Sequence, residues 1–339
     1  MAILFLDSFD HYNDLALKWS VSNSAIIDLS GTQSRTGIGC CQCFPTGPEL
    51  NISPQANAVC GDAYNTGALI NDIHGFISGT GVFRNRQVRT RCNSDGSVSV
   101  LVGNDPFPTV LGSSVPNLIS IGNYAYVETK VVAFANPGQV IVRINGQVVL
   151  NVTGNTNPDG TGTFQTFYLQ GPGSGPTANH DDIYLCNLTN SGIPGQPNND
   201  FLGAIRNYAQ VPIGDASPLQ WTPNTGTTHY TQVRTIPPPG DTSYVFDGNP
   251  GDVDQYVYGT SGIVPPVTIF GVQVCLDAKL DASGSRLIAP DVGGMPGTSA
   301  ALTTTYNMVK EAYDGNPVSG KAWQLTDFGS VRFGPTVTA

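Results

Sequence analysis

Residues that favour helices are scarce in this sequence of 339 residues, and this scarcity constrains the fold more than any other feature. The chain contains three glutamates and five lysines, against 40 glycines and 25 prolines. Glycine and proline destabilise helix interiors, whereas the valine, threonine, isoleucine, tyrosine and phenylalanine that recur here favour strands. The sequence therefore predicts an all-β protein with almost no helix.

Two pairs of turn residues predict β-hairpins in the first half of the chain. Asn145-Gly146 and Asp95-Gly96 each lie between apolar runs, as in hairpins closed by a two-residue type I′ turn. The paired strands are predicted at 139–144 with 147–153, and at 87–93 with 97–103. Further strands are predicted at 2–9, 36–43, 73–83, 125–135, 163–170 and 180–187. Antiparallel strands without intervening helices predict a β-sandwich or jelly roll.

A break in the pattern near residue 190 predicts two domains. The stretch "TNSGIPGQPNND" has no periodicity and is rich in turn residues, which is typical of a connection. Strand-like stretches then resume at "FLGAIRNYAQV" and continue through "THYTQVRTI", "DVDQYVYG" and "WQLTDFGSVRFG". We therefore expect a β-sandwich over 1–189, a linker over 190–200 and a second, smaller sandwich over 201–339.

The charge of the chain argues against nucleic acid as a partner. The formal net charge is −10, whereas phosphate binding depends on clustered lysine and arginine. The one basic run is "RNRQVRTR", where strand alternation places Arg89 and Arg91 on one face and Arg86 on the other. We interpret it as a solvated or interface face. Apolar stretches are too short for a membrane span or a signal peptide, so we expect no membrane contact and synthesis in the cytoplasm.

Several short stretches resemble structural proteins of tailed-phage virions. They are "ILFLDSFDHYN" with a following "KW", the hairpin "VRINGQVVL", "DDIYL", "NNDFLGAIR" with "WTP", and later "FGVQVCLDAKLDASGSR" and "NPVSGKAW". The resemblance implies a concanavalin A-like (laminin G-like) jelly roll followed by a β domain. It also implies a non-enzymatic role, most simply as a minor capsid or decoration protein exposed on the released particle. The alternative is a tail-appendage or fibre protein that binds a host-surface glycan through its lectin-like domain. The implied partners are other virion proteins, such as the major capsid protein or tail proteins, and further copies of the chain.

The sequence offers no pair of carboxylates suited to glycoside hydrolysis. Such chemistry needs two carboxylates about 5–10 Å apart, and Glu49, Glu128 and Glu311 form no such pattern. Asp181 and Asp182 are adjacent, so on a regular strand they would point to opposite faces. A serine triad is not indicated either, because the sequence has no Gly-x-Ser-x-Gly nucleophile elbow. The four histidines lie in turn-like or strand-end positions: His11, His74, His180 and His229. We therefore expect no catalytic residues.

Metal and sugar sites are weakly indicated. The loop "NTNPDG" starts like a calcium loop, but Thr166 stands where a bidentate glutamate is needed. Two other groups of acidic and amide residues could meet around a cation: Asp247 with Asp252 and Asp254, and Asp182 with Asn199 or Asp200. Aspartate and asparagine beside glycine and proline are also typical of ordinary turns, so we expect no metal and no cofactor. Sugar binding would need exposed aromatic rings, for which the candidates are Trp19, Trp221, Trp323, Tyr124 and Tyr126.

Seven cysteines are the local oddity of the sequence. Cys40, Cys41 and Cys43 lie within "GCCQCF", and their spacing does not supply the paired motifs of a zinc site. Two interpretations stay open: buried free thiols that pack as small apolar residues, or disulfides. An odd count leaves at least one thiol outside any pairing within the chain. We therefore predict that Cys40, Cys41 or Cys43 forms a disulfide with another chain.

Overall fold

The computed structural model describes residues 2–79, 84–173, 177–281 and 284–339. Every strand pair in this part of the chain is antiparallel, and no helix there exceeds five residues: the α-helix α1 spans Tyr230–Val233, and the longest 3-10 helix spans Leu325–Gly329. The prediction of an all-β protein is confirmed. No helix among the described residues has the length and apolar character that a membrane span requires. The end of the predicted strand 73–83, residues 80–83, lies outside the described residues.

Two sheets form a jelly-roll-like sandwich in the first half of the chain. The first sheet has eight strands in the order β12-β11-β10-β5-β14-β3-β2, with β1 paired to β14. Its strands are β1 Ile3–Asp7, β2 Ile26–Asp28, β3 Cys40–Cys43, β5 Ala58–Thr66, β10 Ala125–Val131, β11 Gly138–Ile144, β12 Gln147–Gly154 and β14 Ala178–Cys186. The second sheet has six strands in the order β4-β13-β6-β7-β8-β9. Its strands are β4 Glu49–Gln55, β6 Asn71–Ser78, β7 Asn85–Cys92, β8 Val98–Val102, β9 Thr109–Ser113 and β13 Phe164–Leu169.

Aromatic and β-branched side chains fill the space between these two sheets. Phe76 packs edge-on against Phe164, with ring centroids 4.7 Å apart, and lies 5.9 Å from the ring of Phe167. Each of the three is fully buried. Burying such a side chain stabilises the fold by about 1.5–3 kcal/mol. Because successive side chains of a strand point to opposite faces, every second side chain of the second sheet points outward, away from this core.

The two predicted hairpins differ in outcome. Asn145 and Gly146 have φ angles of 50° and 82° and join β11 to β12, as a type I′ turn requires. Between β7 and β8 only Gly96 has a positive φ, and Asn93 N donates to the carbonyl oxygen of Ser97. The connection there is a five-residue loop, so the prediction of a two-residue turn at Asp95-Gly96 is wrong.

Three smaller sheets make up the second half of the chain. The largest has the order β15-β18-β24-β20-β21, with β22 also paired to β20. The two others are the pairs β16 with β17 and β19 with β23. The strands are β15 Pro212–Leu219, β16 Thr222–Pro223, β17 Val245–Phe246, β18 Asp254–Tyr258, β19 Val272–Ala278, β20 Leu287–Val292, β21 Met295–Pro296, β22 Ala300–Ala301, β23 Asn307–Tyr313 and β24 Phe333–Val337. Trp323 stacks with Phe328 and Phe333 in their apolar core.

Two stretches predicted as strands in this half are not strands. Residues 201–211 are irregular and lie against the outer face of the first sheet, where Phe201 and Leu202 pack near Tyr184. Residues 228–236 contain α1 instead. The segment 190–200, predicted as a linker, is also held in place, since Asn198 Nδ2 donates to the carbonyl oxygen of Phe270 at 2.7 Å. For residues 201–211, apolar packing against the first sheet has overridden the local pattern.

Candidate functional site

The three clustered cysteines lie inside the N-terminal sandwich. Cys40, Cys41 and Cys43 are fully buried and unbonded, with the sulfur atoms of Cys41 and Cys43 3.6 Å apart. Burial raises the pKa of the Cys41 thiol well above its usual value, which disfavours the reactive thiolate. A bond to another chain would require β3 to leave the sheet. The interchain disulfide stays a prediction, and it would require one of these buried thiols to become exposed.

The adjacent carboxylates of Asp181 and Asp182 come together, contrary to the prediction from alternation. Asp182 has a φ of 51°, and a register shift of β14 against β5 occurs at this point. Asp181 accepts from the backbone N–H groups of Arg35 and Thr36, while Asp182 accepts from the Arg35 guanidinium and from Asn207 N. Burial, with the nearby charge of Asp182, raises the pKa of Asp181 to about 9. The pair fastens two loops to the sheet.

The other predicted candidates serve structural roles. Asp254 accepts from the backbone N–H groups of Gln220 and Trp221, and Asp200 forms an ion pair with Lys130. Thr166 donates to Asn51 across β13 and β4. No cluster of three metal-binding side chains occurs in the described part of the chain. Among the aromatic candidates, the side chains of Trp19, Tyr126 and Trp323 are buried, so none of these three offers a ring to a sugar.

The outer face of the second sheet carries a concentration of arginines. Four of the ten arginines of the chain lie within eight residues, and their side chains meet three carboxylates there. We call this surface the arginine face; its members are Arg84, Arg86, Arg89, Arg91, Glu49, Asp72, Asp105 and Tyr168. Four cations against three carboxylates leave one excess positive charge, on a chain whose formal net charge is −10.

A β-bulge brings Arg86 onto the same face as Arg89 and Arg91. In the pairing of β6 with β7, Phe76 lies opposite Val88 while the next residue, Ile77, lies opposite Arg86. Gln87 is the extra residue, and a bulge of this kind reverses the alternation on one side of it. The prediction that Arg86 points away from Arg89 and Arg91 is therefore wrong.

The ion pairs of this face form one connected network. Asp72 is 1% exposed and accepts from Arg86, Arg89 and Arg91 at 3.2, 3.0 and 2.7 Å. Asp105, on the loop between β8 and β9, accepts from Arg86 and Arg89. Arg89 is fully buried, whereas Arg86 and Arg91 are each 28% exposed. The two outer guanidinium groups are therefore accessible to a ligand while Asp72 and Arg89 hold them in place.

Tyr168 lies beneath Arg86 at the centre of the face. It is paired with Gly75 across β13 and β6, and a Cβ atom at Gly75 would come within 2.8 Å of the phenol ring. Glycine is thus required for the ring to lie flat over the sheet. The Arg86 guanidinium carbon is 5.4 Å from the ring centroid, and the phenol oxygen is buried without a hydrogen-bond partner among the described residues. Burial raises the pKa of Tyr168, so the phenol is protonated at neutral pH.

Sequence reasoning found the arginine run but missed Tyr168 and Asp105. Tyr168 lies 77 residues after Arg91 in the sequence, and only the sheet order β13-β6-β7 brings them together. The one local signal was the charge run itself in an otherwise acidic chain. The position of the bulge, which makes the arginines converge, has no glycine or proline to mark it.

Comparisons with known proteins give a fold likeness without a family. No family model and no curated protein sequence matches this chain. An endo-β-1,4-glucuronan lyase from the fungus Trichoderma reesei has 13% identity and a TM-score of 0.40, covering 55% of this chain and 95% of its own. An alginate lyase from a Chlorella virus has 10% identity and a TM-score of 0.39, covering 55% and 99%. A cellulose-induced protein has 15% identity and a TM-score of 0.38, covering 53% and 96%.

These findings correct the functional expectation drawn from the sequence. The prediction of a non-enzymatic structural protein of a tailed-phage virion is wrong, because the similar structures are polysaccharide lyases and a cellulose-induced protein. The accompanying prediction that the chain is no enzyme is contradicted in the same way, because two of these similar structures are lyases. The similar structures agree with the other part of the expectation, a jelly-roll-like β-sandwich. At these identities the likeness concerns the fold, and substrate and activity do not transfer with it.

Proposed function

We propose that the N-terminal sandwich binds a polysaccharide that carries carboxylate groups, along the arginine face. The observation that carries the proposal is the convergence of the partly exposed Arg86 and Arg91 on one sheet face of a strongly acidic chain. A planar guanidinium matches a planar carboxylate with two parallel hydrogen bonds. The adjacent ring of Phe107, which is 90% exposed, offers an apolar surface of the kind on which sugar rings pack.

Nucleic acid fits this surface less well than a carboxylated glycan. Each of the three carboxylates of the face already pairs with an arginine, so the local excess is a single positive charge. Phosphate-backbone binding depends on many uncompensated cations, and the remaining charge of the chain would repel it. A glycan with one carboxylate per sugar or fewer needs only isolated arginine contacts.

The proposal is tested by measuring binding of polyglucuronate and alginate by calorimetry, with neutral dextran as the comparison polymer. Arg86→Gln should weaken binding about tenfold, because a charge-assisted bond to the ligand is lost. Arg286→Gln, at an exposed arginine in the second half, is the matched control and should bind as the wild type does. Binding of neither acidic polymer by the folded wild type, or equal affinity for dextran, would refute the proposal.

A second candidate function is cleavage of the bound chain by β-elimination, and Tyr168 favours it. Elimination needs a cation on the sugar carboxylate, a base for the proton next to it and an acid for the departing oxygen. Arginine supplies the first, and the protonated phenol of Tyr168, which has no hydrogen-bond partner among the described residues, suits the last. The carboxylates of the face are all ion-paired, so none stands ready as the base. Binding is therefore the function that the geometry supports best.

Tyr168→Phe separates these two functions. The change removes a buried hydroxyl that has no hydrogen-bond partner in the described part of the chain, so the free energy of unfolding should change by less than about 0.5 kcal/mol. If the wild type cleaves polyglucuronate, ultraviolet absorbance of the unsaturated product should appear, and the variant should lose it while retaining binding. Cleavage that survives in Tyr168→Phe would show that this phenol is not the acid.

A further inference from the structure

The arginine face already binds one carboxylate in the manner expected for a ligand. Arg89 donates to Asp105 through both terminal nitrogens, at 2.8 Å to Oδ1 and 3.0 Å to Oδ2. Arg86 Nη1 donates to the same Oδ2 at 2.8 Å. These are the parallel bonds of an arginine fork on a planar carboxylate. The hydrogen bond from Arg89 lowers the pKa of Asp105, so its carboxylate is charged at neutral pH.

Asp105 differs from Asp72 in its position, because it lies on an exposed loop and not on a strand. Asp72 belongs to β6 and is 1% exposed, whereas Asp105 lies on the loop 103–108 and is 53% exposed. The loop is tied to β7 by Asn104, whose Oδ1 accepts from Arg86 N and whose Nδ2 donates to Asn85. Beyond Asp105 it turns outward to Phe107, which is 90% exposed. The Asp105 carboxylate can therefore leave the arginines without the unfolding of a strand.

We infer that Asp105 is an internal competitor that occupies the ligand-carboxylate position between Arg86 and Arg89, and that binding displaces it together with the loop 103–108. The inference rests on the proposed function. One carboxylate replaces another at the fork, so the exchange leaves the charge there unchanged. The apparent affinity for ligand is lowered by the fraction of molecules in which Asp105 holds the fork.

The test is the affinity of a glucuronate tetrasaccharide for the full chain, measured by calorimetry. Asp105→Ala should bind roughly threefold to tenfold more tightly than the wild type, because the competitor is gone. Asp105→Asn, which keeps the shape of the side chain, should shift affinity in the same direction. Asp200→Ala is the matched control: Asp200 is 63% exposed, pairs with Lys130 and lies outside the arginine face. It changes the net charge equally and should leave the affinity unchanged.

Hydrogen exchange supplies a second measurement that does not depend on a variant. Gly103 N donates to the carbonyl oxygen of Arg86 at 3.1 Å, so displacement of the loop should speed exchange at Gly103 when ligand binds. Equal or weaker binding by Asp105→Ala, with a wild type that binds, would overturn the inference and leave the proposed function standing. Binding by Asp105→Ala alone would support the inference. If the wild type and both Asp105 variants are folded and none binds, the proposed function fails, and the inference fails with it.

Discussion

Asp62 and His180 form an ion pair in the core between the two sheets of the N-terminal sandwich. His180 Nδ1 lies 2.6 Å from Asp62 Oδ2, and His180 Nε2 lies 2.9 Å from the carbonyl oxygen of Gln170. Both side chains are fully buried. Burial raises the pKa of Asp62 and lowers that of His180, but their mutual attraction and hydrogen bond, with His74 also close to Asp62, outweigh burial. The net result is a lowered pKa for Asp62 and a raised pKa for His180.

This pair predicts a stability optimum in mildly acidic solution. The contribution of Asp62 is present above its unfolded pKa, about 4, and is lost as pH falls through its lowered folded pKa. The contribution of His180 is present below its unfolded pKa, about 6.5, and is lost as pH rises through its raised folded pKa. We expect the pair to contribute most between these two unfolded values.

Asp62→Asn tests the role of this pair. It should lower the free energy of unfolding by about 3 kcal/mol near pH 6, because it leaves the buried charge of His180 without its partner. Urea unfolding across the pH range is the measurement. Asp14→Asn, at an exposed position where asparagine caps a helical turn as well as aspartate does, should change little. A variant that keeps the wild-type stability and pH profile would show that the pair contributes nothing.

Strands differ in how far the sequence could predict them. The Asn145-Gly146 turn follows from local chemistry, because both residues tolerate the positive φ that the turn requires. The β-bulge at Gln87 does not, because its cause lies in the pairing of β7 with β6. One unrecognised residue reverses the side on which Arg86 lies. The arginine run was thus visible in the sequence, whereas the surface that it forms with Tyr168 and Asp105 was not.

The conformation of the segment 201–211 could not be predicted from its own residues. Its apolar residues were interpreted as a strand, yet Leu202 N donates to the Tyr184 hydroxyl and Gly203 N donates to Glu128 Oε1. These backbone groups are satisfied by side chains of the first sheet, so the segment needs no neighbouring strand. Its conformation depends on side chains that are far away in the sequence.

Across the whole molecule, Asp314 links the two halves of the chain. Its carboxylate accepts from the backbone N–H groups of Ala2 and Ile3 at 2.7 and 3.0 Å, and from Asn198 Nδ2 at 3.0 Å. Ile3 belongs to an apolar cluster with Tyr184 on one side and Ala312 on the other. One side chain of the second half thus fastens the first strand and the connecting segment at a shared apolar contact.

Asp314→Ala should therefore weaken the coupling between the halves. Buried donors left without an acceptor cost about 1–3 kcal/mol each, so we expect the free energy of unfolding to fall by about 2–4 kcal/mol. Calorimetry should show the unfolding transition broaden or divide in two, because the halves no longer unfold together. Asp247→Ala, in the exposed turn before β18, is the matched control and should leave the transition sharp. A single transition in Asp314→Ala, as sharp as that of the control and at the same temperature, would show that the apolar cluster couples the halves without this carboxylate.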